Sequence, residues 1–210
     1  MLKLSEAKKR FRSLAVAGVL TIGGLSGIGG FLGNGIAHAE TPTGSADQNA
    51  AVNITGGDLT LDHSDNPIDF GSLQLDAKPH TLTASAGSFD VTDARGTGDG
   101  WHVTVAATQF TDSSTGDALP AGSLTLRQPT VSGVDGAETT GITISAPGTV
   151  DTTPGNEVPV ASAAVGSGLG EYTFNQDSSM GNDGATLAIG DNTKAGSFGS
   201  TLTYKVTTGP

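Results

Sequence analysis

From Val52 onward, apolar and polar residues alternate in short runs, and this period of two constrains the chain more than any other feature. "VNIT", "DLTLD", "IDFGSLQL", "HTLTASA" and "SFDVTD" come first. "WHVTVAA", "SLTLRQ", "GITISA", "EYTF", "ATLAI" and "FGSTLTYKVT" follow. Alternation of this kind describes strands with one buried and one wet face, and the abundance of Val and Thr suits that packing. Clusters of Gly, Pro, Asn and Asp break the runs at short intervals, as in sandwiches and barrels. Residues 147–170 read as a long surface loop, because prolines demote a strand to an edge or a loop. The 32 glycines follow no fixed period of 20–50 residues, which argues against a solenoid or propeller. The expectation is a single all-β domain over residues 52–210. It is an antiparallel-rich two-sheet β-sandwich, Ig-like or jelly-roll-like, with no helix after the leader.

That leader spans residues 1–39. Lys3, Lys8, Lys9, Arg10 and Arg12 precede an apolar, glycine-rich run, which ends at Ala37-His38-Ala39. A basic end, an apolar middle and a small-x-small exit are the parts of a secretory signal peptide. The run is also long enough to span a bilayer, so an uncleaved anchor is the competing reading. The AHA site and the polar stretch 40–51, read as a disordered linker, favour cleavage before Glu40. The basic end lacks an adjacent arginine pair, which points to the general secretory route. After cleavage no second apolar span, apolar tail or LPxTG-like signal remains. The expectation is a secreted protein with no stable membrane insertion, released or held at the extracellular cell surface by its folded surface.

Charge narrows the partners. The net charge is −11. Cleavage removes five of ten basic residues and one of 21 acids, leaving five against twenty, a net charge of −15. Without a basic patch such a chain does not bind nucleic acid. The absence of cysteine excludes disulfides, thiolate metal sites and a thiol nucleophile.

Catalytic motifs are sparse, and the chain reads as a non-enzyme. No G-x-S-x-G elbow, P-loop or H-E-x-x-H run occurs. "VGSGLG" at 165–170 fails the spacing of a dinucleotide fingerprint and has no strand–helix unit around it. His63, His80 and His102 are scattered singly, as surface or strand residues are. Most acids fall in turns, where Asx chemistry and solubility account for them, although a glycosidase pair across a cleft stays open as a third reading. No cofactor is expected. "LDHSDNP", with Asp62, Asp65 and Asn66, offers calcium a candidate loop, against a plain Asx turn.

The single tryptophan stands in "DGWHVTVAATQF". On a strand, Trp101, Val103 and Val105 share one face, and His102, Thr104 and Ala106 the other. Packing is the ordinary role of such a tryptophan. Three preceding glycines and Arg95 allow another, a platform that stacks a sugar ring. Burial of the indole separates the two.

The stretch "VTDARGTGDGWHVTVAATQFT" (91–111) resembles the first signature of the WxL-domain family of Gram-positive surface proteins. "ITGGDLTL" (54–61) and "IDFGSLQL" (68–75) are similar to that family's opening strands, and "AGSFGSTLTYKVTTGP" (195–210) to its closing one. Two positions depart from the pattern: valine replaces leucine in Trp101-His102-Val103, and tyrosine replaces tryptophan in Tyr204-Lys205-Val206. The resemblance implies non-covalent attachment to the cell wall, with peptidoglycan or another wall glycan as ligand. It also implies assembly with other WxL-type surface proteins. Arg95, Trp101, His102, Val103, Tyr204, Lys205 and Val206 are the ligand-binding residues it points to. The alternative is a structural subunit that packs against other surface proteins without touching glycan.

Overall fold

The computed structural model describes residues 44, 46–64, 66–151, 156–179 and 181–209. The leader and the first part of the linker lie outside them, and residues 46–51 are exposed without regular structure. The chain divides into units Met1–Ala50 and Ala51–Pro210, and every strand among the described residues belongs to the second.

There are fourteen such strands and no helix among the described residues. In order they are β1 (Leu59–His63), β2 (His80–Ala84), β3 (Ser88–Asp93), β4 (Trp101–Ala107), β5 (Thr111–Asp112), β6 (Leu124–Leu126) and β7 (Thr130–Gly133). Then come β8 (Ile142–Ile144), β9 (Gly148–Thr149), β10 (Val158–Ala163), β11 (Gly170–Asn175), β12 (Ala185–Ile189), β13 (Phe198–Gly199) and β14 (Leu202–Thr208). All pairings are antiparallel. The orders are β1-β3-β11-β7, β14-β4-β10-β8 and β2-β12-β6-β9, with β5 and β13 forming a small ribbon.

The alternation read from the sequence is the alternation of burial. In β4 every second residue from Trp101 to Ala107 is buried, and β3 and β6 follow the same rule. The first two sheets face each other through aromatic side chains of β3, β4, β11 and β14. Leu124, Leu126, Ala185 and Leu187 of the third sheet join the same continuous core. The all-β sandwich reading holds, with a third four-stranded sheet beyond the two expected.

Three local expectations are corrected. The described part of residues 147–170, read as a loop, holds strands: β10 lies between β4 and β8, with Val160, Ala161 and Ala163 buried. Pro159 is tolerated because the register shifts between Pro159 and Ala161, where a bulge relieves the demand for its missing N–H. Residues 68–75 are not a strand. The Asp69 carboxylate accepts the Gly71 N–H at 2.8 Å, Gly71 takes a φ of 70°, and this Asx turn breaks the run. The first strand begins at Leu59, so residues 52–55 ("VNIT") stay unpaired although their alternation is strand-like.

Candidate functional site

Trp101 opens β4 and is fully buried. Its ring stands edge-on to Phe174 at 6.0 Å and tilted to Tyr172 at 6.2 Å. Its Nε1–H donates to the Gly168 carbonyl at 2.9 Å. The turn passes this close because residue 168 is glycine: a Cβ there would stand 2.6 Å from the indole nitrogen, and its φ is +77°. Gly100 lets its own turn approach β10 in the same way, since a Cβ there would collide with the Ala163 carbonyl oxygen. The indole therefore presents no face on which a sugar could stack. The platform expected of Trp101 is corrected to a core role, because the "VGSGLG" turn closes over the ring.

Tyr204 sits on the neighbouring strand, where Val105 pairs with Tyr204, Val103 with Val206 and Trp101 with Thr208. Its ring lies between His63 at 4.8 Å and Phe89 at 5.2 Å. Its hydroxyl donates to the buried Gln176 Oε1 at 2.5 Å, and burial pushes the pKa of this phenol above its ordinary value. Phe89 stacks on Phe174 at 4.8 Å with rings 5° from parallel, and Phe174 meets Trp101. The two motif aromatics are thus joined through Phe89 and Phe174 into one row between the facing sheets. Tyrosine at 204 places a hydroxyl donor against the Gln176 Oε1. Val103 is fully buried and Val206 half-buried.

Arg95 holds the turn that leads into Trp101. Its guanidinium donates to both oxygens of Asp93, from Nε at 2.9 Å and from NH2 at 2.7 Å. It also donates to the Gly100 carbonyl at 2.9 Å and to the Thr208 hydroxyl at 2.8 Å. The Asp93 side chain has no exposed surface. The hydrogen bonds from Arg95 hold its carboxyl below the usual range, and Asp93 raises the arginine in turn. A bidentate pair of this geometry fixes register; here it ties β3, the glycine turn and β14 together.

His102 and Lys205 face outward. The His102 Nδ1 lies 2.8 Å from the Gly209 carbonyl and its Nε2 2.6 Å from the Thr207 hydroxyl. A carbonyl can only accept, so Nδ1 carries a proton and donates it to Gly209. Lys205 donates to Glu157 at 3.0 Å, and Glu157 accepts the Thr104 hydroxyl at 2.9 Å. Hydrogen bonding to Lys205 lowers the Glu157 carboxyl.

The seven residues named from the sequence therefore gather on β4, β14 and one turn, but on two faces of one sheet. Trp101, Val103, Tyr204 and Val206 point inward; His102 and Lys205 point outward. The sequence reading missed Asp93, Gly168, Tyr172, Phe174 and Gln176 as their partners. The aspartate of "TDARG" and the glycines of "VGSGLG" are visible in the sequence, yet nothing there shows that they meet at Trp101.

A groove of about 1330 Å³ opens beside Tyr204 and His63, lined by residues 66–75 and with Leu82, Phe110, Leu187, Ile189 and Phe198 among its apolar walls. The carboxyls of Asp76, Asp112, Asp117 and Asp183 are lowered, held by turn N–H groups, hydroxyls and bases. Among the described residues no three His, Asp or Glu side chains gather to hold a metal. Asp65 of the candidate calcium loop lies outside them.

No curated protein and no solved structure matches the chain. The model of the WxL domain, described as a surface cell wall-binding domain, matches residues 37–210. That span takes in the glycine turn, both motif strands and all three sheets, and the chain belongs to the WxL family of surface cell wall-binding domains.

Proposed function

We propose that this protein is exported and held at the cell wall without a covalent bond, with peptidoglycan as its ligand. The observation that carries the reading is membership of a cell wall-binding surface family across residues 37–210. The inward motif residues act indirectly, by fixing β4 beside β14. Ligand contact falls to the outer face of those strands, where His102, Thr104, Lys205 and Thr207 form a polar surface. An acidic protein meets anionic wall polymers at a disadvantage beyond about a Debye length, ~8 Å, so adhesion rests on short-range hydrogen bonds. Retention on purified peptidoglycan tests this. Wild type is retained, with or without a calcium chelator, and a variant carrying both His102→Ala and Lys205→Ala is retained less. No retention of wild type ends the reading; full retention of the double variant moves the ligand surface elsewhere.

The burial of Trp101 favours a second reading, a structural subunit that packs against other surface proteins. Retention that appears only when another WxL-type protein is added would select it.

A further inference from the structure

The segment ahead of β1 carries two large apolar side chains with no cover. Val52 and Ile54 are 84% and 86% exposed, and they alternate with Asn53 and Thr55, so an extended backbone puts both on one side. The root of this arm is fixed: the Gly57 N–H donates to the Ala94 carbonyl at 2.8 Å. Gly56 packs so closely there that a Cβ would collide with the Arg95 carbonyl oxygen. Beyond that root, residues 51–56 pair with no strand among the described residues. An ordered root and an uncovered apolar tip mark an interaction segment.

The same molecule offers a matching surface. β2 ends its sheet, paired with β12 on one side and with no described strand on the other. Its Leu82 lines the apolar groove that residues 66–75 also line. A free edge beside an apolar groove accepts an added strand, with alternate side chains entering the groove. The arm fits in period, polarity and charge. Residues 48–57 carry no charge in a chain of net charge −11, so approach to a second acidic copy adds no repulsion of their own. The occupant is another copy because of direction: β1 runs from the root of the arm toward the groove, which begins around Leu61–His63. The arm leaves from the far end of β1, away from its own groove.

We propose that residues 52–55 of one copy add as a strand along the free edge of β2 in a second copy, with Val52 and Ile54 seated in the groove. Arm and groove are different surfaces of one chain, so the contact is head-to-tail and continues from copy to copy unless its rotation closes a ring. The proposal does not rest on peptidoglycan as ligand.

Sedimentation velocity over a concentration series tests it, on protein recovered from a secreting host that is given the full chain. Wild type shifts from monomer to dimer and longer species, while the double variant Val52→Asp, Ile54→Asp stays monomeric with an unchanged thermal midpoint. A labelled peptide of residues 48–57 binds that double variant and loses at least tenfold in affinity when Leu75→Asp, at the groove rim, is added. Where Leu75→Asp lowers the midpoint, Ser72→Asp on the same exposed segment takes its place. Wild type that is monomeric throughout overturns the proposal, as does association that survives in the double variant. Peptide binding indifferent to the rim substitutions overturns the assignment of the groove. Wall retention of the double variant stays at the wild-type level, which separates this result from the wall reading.

Discussion

Trp101 and Tyr204 occupy one aromatic row, but they fail differently when changed. Trp101→Ala empties a fully buried site and is expected to destabilise the domain by about 3–5 kcal/mol, read from urea unfolding. Tyr204→Phe keeps the ring and removes one donor, leaving the buried Gln176 Oε1 without its partner. An orphaned buried acceptor costs about 1–3 kcal/mol, and the same unfolding curves should show that smaller loss. A Tyr204→Phe protein as stable as wild type would mean that Gln176 finds another donor.

At the scale of elements, the turn between β3 and β4 depends on the Asp93–Arg95 pair. Arg95→Met leaves a carboxylate that has no exposed surface with only the backbone N–H of residue 95 as donor. Breaking one side of such a pair costs about 3–5 kcal/mol, more than replacing both sides with apolar groups. The double variant Asp93→Leu, Arg95→Met is therefore expected to recover part of the loss. Chemical denaturation of the three proteins compares them directly. The turn that closes over the indole is equally strict. Gly168→Ala must accept a positive φ and a clash with the ring at once, so its loss exceeds the roughly 1 kcal/mol that bounds a strain-free glycine exchange.

At the scale of the molecule, acids hold loops together, and the domain should be sensitive to low pH. Asp93 is lowered by Arg95, Asp112 by the Ser114 hydroxyl and backbone, and Asp183 chiefly by the Ser178 N–H. Asp177 is raised by burial, but the Ser85 hydroxyl and the N–H groups of Ala86, Gly184 and Gly87 outweigh that and leave it lowered. A carboxylate whose pKa is lower in the folded state stabilises fully above its unfolded value, ~3.9 for aspartate. That contribution is lost as pH falls through the lower folded values. The denaturation midpoint should stay level with respect to these groups from pH 7 to about 5 and decline below about 4. Asp93→Asn should flatten the decline. An unchanged midpoint at pH 3 would show that these bonds add nothing net.

Alternation alone determined the strand class, the inward and outward faces of β4, and the punctuation by glycine turns. These follow from local chemistry, because side chains on extended backbone must take one side or the other. The motif residues were legible for the same reason, as an aromatic strand after a glycine turn. Tertiary structure decided what those residues do. Gly168 and Trp101 are 67 positions apart, and their contact buries the ring that the sequence left free to bind. It also decided that β10, read as loop from its prolines, lies inside a sheet between β4 and β8, because a bulge at Pro159 removes the local objection. Pairing partners are chosen by long-range packing, and no local pattern records which strand will cover which.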